Sequence, residues 1–227
     1  MLRTLPSSQS PQLVRRSLYP DGDVDFDFIQ LEIVQEIELW EMHRRHIKRL
    51  DEEIEKLYAE LDPLSHLRTI PGIGVLLGPS LLGVLHDWKR FASQRRMRGF
   101  CGLFPRQNES GGVERPGQKI GKGGNDRAKR DLVLAADVAR TVDPELAQVY
   151  YRMMVEKGKH HRQALCAVAT RLVNRIHAIM KRGRPYQLRD LNGNQINVVE
   201  AKKLIRDRFT VPAAVRQSRI RTRKAAA

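Results

Sequence analysis

Long apolar runs are missing from this 227-residue sequence, and none approaches the roughly eighteen residues that span a membrane. The opening MLRTLPSSQSPQLVRRS has no apolar core of the kind a secretion signal needs. A cytoplasmic protein without membrane partners is therefore expected. Aromatic residues make up only 6%, which argues against a platform that stacks single-stranded bases. Cysteine is nearly absent: Cys101 and Cys166 stand in apolar surroundings, outside any CxxC or Cys/His spacing. They read as two buried thiols in a reducing compartment, not as a disulfide or a zinc site.

Positive charge is plentiful and unevenly placed. The net charge is +15, yet residues 1–88 carry 9 Lys/Arg against 15 Asp/Glu, a balance of −6. Residues 89–227 carry 32 against 11, a balance of +21. That asymmetry points to a polyanion partner for the C-terminal two-thirds. The plainer reading is a generally basic protein.

Residues 1–27, with three prolines and the acidic run Asp21 to Asp27, read as a poorly ordered leader. A coiled-coil helix is predicted over 28–62. Ile33, Trp40, Ile47, Ile54 and Leu61 recur every seven residues, with Leu50, Leu57 and Leu64 as a second column. In the first half Glu36 and His43 occupy that second column, so the seam shifts there, with Ile37 as a replacement. The seam would pair with a second copy or with another helix of the chain. His43 and His46 stand three apart, but no third ligand follows at helical spacing, so they read as solvated surface.

Asp62-Pro63 should end that helix and cap another running to about Thr69. Ile70-Pro71-Gly72-Ile73-Gly74 and the apolar stretch Val75 to Leu85 follow. Helix, glycine turn and helix over 63–85 form the pattern of a helix-hairpin-helix. In it Gly72, Ile73 and Gly74 would bring backbone amides to a phosphate with no side chain between. A plain turn between packed helices has the same outline. Beyond it, Arg95 and Arg98 share one helical face, and Arg127 and Arg130 share another on a helix starting near Asn125. Between those helices lies a long loop rich in glycine and cations, with Arg106, Arg115, Lys119 and Lys122. It carries Ser110 before Gly111-Gly112, and by composition alone Ser110 is an ordinary turn residue. Further helices are predicted over 144–156 and 161–181. In the basic tail from residue 184, IRDRF can extend a short helix, and Gln217 to Ala227 would be a disordered arm.

From Thr69 to Lys181 the sequence resembles the C-terminal transposase domain of insertion-sequence-110-type transposases, the DEDD recombinases that include Piv-like invertases. TIPGIG, the run LLGVLHDWKRFASQRRMRGFCGLFPRQNESGG, the segment KIGKGGNDRAKRDLVLAA and the helix EKGKHHRQALCAVATRLVNRIHAIMKRG carry the likeness in that order. The resemblance implies that Ser110 matches the nucleophile that attacks a phosphodiester. Lys122, Gly124 and Asn125 fall on the family's phosphate-side stretch, where Gly121 replaces the usual serine and Ala128-Lys129 the usual leucine-arginine pair. It further implies a RuvC-like domain whose acids hold Mg2+, and for some members a structured guide RNA. No stretch before residue 28 could form such a domain, so Mg2+ is expected only with a RuvC-like subunit in trans, and none on this chain.

The resulting expectation is a mainly α chain: a coiled-coil arm (28–62), a transposase C-terminal domain (63–183) and a basic tail (184–227). It would be a nucleoid-associated DNA transposase or site-specific recombinase in truncated or split form, oligomeric through the coiled coil. Ser110 would be the catalytic residue. Gly72, Ile73, Gly74, Arg95, Arg98, Arg106, Lys119, Lys122, Asn125, Arg127 and Arg130 would be the DNA contacts. The rival is a non-catalytic DNA- or RNA-binding protein derived from such an enzyme.

Overall fold

The computed structural model describes residues 27–103, 109–110, 113–114 and 123–218, and these are mainly helical. Helix α1 (Asp27–Leu61) runs for 35 residues and carries the chain from one compact unit, ending at Lys56, into a second that starts at Leu57. In α1 the apolar residues Trp40, Ile47, Leu50, Ile54, Leu57 and Leu61 are all exposed, Trp40 by 60%. They keep the seven-residue spacing along the helix.

The second unit begins with a side-chain device at the end of α1. The buried Asp62 carboxylate accepts from Tyr58 Oη at 2.6 Å and from the amides of His66 and Leu67, each at 3.0 Å. By taking those two amides, and with Ser65 in the left-handed region at φ 49°, it diverts the backbone from a new helix. The helix expected from Pro63 to Thr69 is thus only a 3-10 turn, Leu67–Thr69. The glycine hairpin is entered from a single turn, which corrects the helix-hairpin-helix expected over 63–85.

After the hairpin come α2 (Leu77–Leu85), a 3-10 turn (Trp88–Arg90) and α3 (Gln94–Phe100), the last capped by Ser93 Oγ on the Arg96 amide at 3.3 Å. Pro79 sits in the first turn of α2, and Val75 O, the carbonyl its missing N–H would have reached, accepts from the Arg68 guanidinium at 3.4 Å instead. A two-residue ladder follows, β1 (Glu109–Ser110) antiparallel to β2 (Val113–Glu114). Next are α4 (Asp126–Ala139), α5 (Pro144–Tyr151) continued by a π-helical turn (Arg152–Glu156), α6 (His161–Arg182) and α7 (Val198–Arg208).

Helix α6 is the spine of this unit. Its Leu165, Val168, Leu172, Ile176 and Ile179 are buried at the predicted spacing, against α3, α4 and α5. The α4 face with Ala128, Leu132, Ala135, Ala136 and Ala139 is buried too, its small side chains permitting close approach. Asp143 caps α5 through the Leu146 amide at 3.1 Å and is also reached by Arg175 of α6 and the Tyr186 hydroxyl. The Tyr186 amide donates to Thr69 Oγ1 at 2.7 Å. Residues 184–218, expected as a basic tail with a short helix at IRDRF, pack onto the unit. Tyr186 is stitched to the entry turn and α6, while Ala201 and Val211 are buried and Phe209 meets the Tyr151 ring at 6.0 Å.

Candidate nucleic-acid interface

The two hairpin glycines do different jobs. Gly72 takes φ +86°, and a Cβ built on it would lie 2.2 Å from the Ala135 carbonyl oxygen and 3.1 Å from the Ala139 nitrogen. It lets the turn rest directly on the backbone of α4, with the Ile73 amide closing the turn onto Ile70 O at 3.0 Å. Ile73 is buried and serves the core. Gly74 is exposed, keeps an ordinary φ, and has open space where a side chain would stand. The sequence reading gave both glycines to a phosphate; only Gly74 faces outward.

From Gly74 the backbone amides of Gly74, Val75, Leu76 and Leu77 find no backbone acceptor among the described residues, and Leu76 supplies no side-chain cap to α2. These are the free donors of a helix start, with the positive end of the helix dipole behind them. Val75 and Leu76 are exposed beside them, by 62% and 77%. Arg68 lies alongside, its guanidinium over the Tyr58 ring at 4.0 Å and reaching Val75 O at 3.4 Å.

A second cationic region surrounds the start of α4. Asn125 Oδ1 accepts from the Ala128 amide at 2.9 Å, so this residue, expected as a nucleic-acid contact, acts as the helix cap. Its own amide bonds Phe100 O at 2.8 Å. Gly124 (φ +91°) and Gly102 (φ +65°) touch backbone to backbone: a Cβ on Gly124 would lie 2.5 Å from Gly102 Cα. The end of α3 and the start of α4 are thus clamped, and the ends of the loop between them meet. Arg95, Arg127 and Arg130 face solvent, and Arg130 Nε also bonds Asp131 at 3.3 Å. Arg98 is half-buried, and its Nε is buried with no partner among the described residues. Lys129 bonds Asp126 at 2.9 Å and the Gly123 carbonyl at 3.5 Å.

Ser110 is described in its backbone alone, paired with Val113 across the Gly111-Gly112 link. Arg106, Lys119 and Lys122 lie outside the described residues, as does Arg115. Among the described residues no group of three His, Cys, Asp or Glu side chains could hold a metal ion. Both cysteines are free thiols. Burial pushes the buried Cys101 up to about 12 and raises the half-buried Cys166, so neither is a nucleophile near neutral pH.

Sequence reasoning missed Asp131, a buried carboxylate on α4 that accepts from Ser80 Oγ of α2 at 2.5 Å and locks the hairpin helix to α4. An acid inside an otherwise alanine-rich face was the available signal.

The glycine hairpin, the arginine-bearing α3 and α4, and Ser110 all fall within one stretch of sequence that has known relatives. Residues 64–152 match the model of the Transposase IS116/IS110/IS902 family. Among curated relatives, the pilin gene-inverting protein of Moraxella bovis is 29% identical over 147 residues, 63% of this chain and 46% of that protein. The insertion element IS110 43.6 kDa protein of Streptomyces coelicolor is 31% identical, over 57% of this chain and 32% of its own length. The transposase for insertion sequence element IS1328 of Yersinia enterocolitica is 29% identical, over 56% and 38%. The chain thus spans less than half the length of these relatives. No helix among the described residues is long and apolar enough to cross a membrane.

Proposed function

We propose that the unit from Leu57 onward holds duplex DNA by its phosphates and offers Ser110 to one of them, as part of a DNA transposase or site-specific recombinase. One observation carries this reading: the family match over residues 64–152 contains the hairpin with its open amides, the arginines of α3 and α4, and the Ser110 loop. Phosphates are the natural acceptors for unpaired amides at a helix start and for exposed arginines, and such contacts read backbone instead of sequence.

In the reaction, Ser110 Oγ forms a bond to phosphorus while one sugar oxygen leaves with the bonding pair and takes up a proton. The phosphodiester is exchanged for a phosphoserine link and can be rejoined by the reverse attack. A serine hydroxyl needs a base or concentrated positive charge for this. The family resemblance assigns that charge to Mg2+ on a RuvC-like domain. The described residues do not fit such an ion, since they contain no three-ligand group. A structured guide RNA and a second copy joined through α1 complete the proposed partners.

The test is an adduct trap on nicked duplex substrates, with a metal-binding domain from a relative supplied in trans. A covalent protein–DNA species that disappears in Ser110→Ala supports the reading. Equal adduct from Ser110→Ala removes Ser110 as nucleophile. Binding without an adduct in either protein favours a non-catalytic DNA-binding role.

A further inference from the structure

Outside the matched domain, α7 and the helical turn 213–218 fold back onto the end of α4 and onto α5. They enclose a cleft of about 180 Å³ whose rim brings together Arg140, Lys202, Arg206 and Arg216, with Tyr150 and Phe209 in its wall. We propose that this cleft is a phosphate-binding subsite that grips the backbone of a nucleic-acid strand. The inference rests on the nucleic-acid reading above and adds a contact region which that reading does not contain.

Four positive side chains come from three separate parts of the chain to one opening. Arg140 is fixed there, bonded to Asp137 at 2.8 and 2.6 Å and lying over the Tyr150 ring at 4.3 Å. That leaves Asp137 engaged. Lys202 and Arg206 are four apart on α7 and so project on one face, and Arg216 approaches from the following turn. None of these three has an acidic partner among the described residues, and all three are exposed. Cations at helix ends offset the helix dipole, which accounts for Arg140 and for Arg206 in the last turn of α7. It does not account for Lys202 in mid-helix or for Arg216 on another element.

Like charges gathered this closely repel unless an anion lies between them, and the size of the cleft suits one phosphate with part of its sugar. The attachment is firm, since the buried Ala201 and Val211 hold this segment against the body of the unit. Every lining cation comes from an ordered helix, its cap or an ordered turn, so the group is preformed.

The test compares the intact chain with the triple variant K202Q/R206Q/R216Q, using a duplex DNA and a structured RNA over a range of salt. At about 0.1 M salt the triple variant should bind at least one polymer roughly tenfold more weakly, with the salt slope lower by about one to two units. The charge-preserving variant K202R/R206K should bind as the parent does. A loss confined to RNA, or confined to duplex DNA, identifies which strand the cleft holds. Unchanged affinity and slope for both polymers would overturn the subsite while leaving the parent's binding in place. The subsite is equally overturned if K203Q/R208Q, which neutralises two other cations of α7, causes the same loss. No binding of either polymer by the parent chain would bring down the nucleic-acid reading itself. All the altered side chains are exposed, so helix content and melting temperature should match the parent in every variant.

Discussion

Gly72 and Gly74 look equivalent in the sequence, two residues apart in one short motif, and the structure assigns them opposite duties. Gly72→Ala would drive a methyl group into the Ala135 carbonyl and strain a positive φ. A cost on the order of 3 kcal/mol is expected, read as a lower denaturation midpoint. Gly74→Ala meets open space and should leave the midpoint within about 0.5 kcal/mol of the parent. A bulky acid at that position, Gly74→Glu, should instead weaken duplex binding severalfold with little change in stability. Equal destabilisation by both alanine variants would contradict this division. What the sequence conveyed was that the chain turns here. That Gly72 turns against α4 depends on Ala135 and Ala139, more than sixty positions away, and no local pattern carries that distance. Asn125 shows the opposite case: its place before α4 was legible because capping is local chemistry, and its Oδ1 closes the helix on the Ala128 amide. Arg175 and Tyr186 converge on Asp143 from distant segments, and nothing near any of the three announces the others.

At the scale of elements, α1 was the most legible and α7 the least. Seven-residue spacing marked α1 over its whole length, and its apolar column stands uncovered. Burying such a column in a second copy removes several leucine- and isoleucine-sized side chains from water, each contributing about 1.5–3 kcal/mol when fully buried. The double variant I47E/L50E should therefore give a lower mass in sedimentation than the parent. Because the second unit has its own core from Leu67 onward, its melting transition should persist in that variant. An unchanged mass would remove the seam as an oligomer contact. Helix α7 was legible only in part: IRDRF suggested a short helix within a basic tail, but neither its start at Val198 nor its packing was foreseen. The single buried Ala201 that anchors it on α5 is too small to register in a charge count, although the Asn197–Glu200 capping box marks its start. The missing helix before the hairpin was equally hard to foresee. Asp62 is a good cap in either outcome, and only its buried position, with Tyr58 beside it, turns it toward the amides of His66 and Leu67.

For the whole molecule, charge and fold divide the chain at different places. The acidic excess runs through α1 and the hairpin to residue 88, while the compact second unit begins at Leu57. The hairpin thus presents open backbone donors in a stretch with little positive charge, and the strongly cationic elements follow it. Binding that combines both should still be governed by ion release. Duplex affinity is expected to fall by about three orders of magnitude between 50 and 200 mM salt, if six or so phosphates are neutralised. Titration of labelled duplexes of unrelated sequence should give nearly the same curve for each. Salt-independent affinity would show that +21 on residues 89–227 is not what holds the polymer. A last consequence follows from the contact between Gly102 and Gly124. With Gly102 and Gly124 in contact, the closure of the segment between them is set by the two glycines. Doubling its length should cost only about 0.6 kcal/mol in closure entropy, because the body of the unit does not have to move to admit it. Residues inserted there beside Ser110 would thus be tolerated by the fold, and their effect would be read in the chemistry and not in stability.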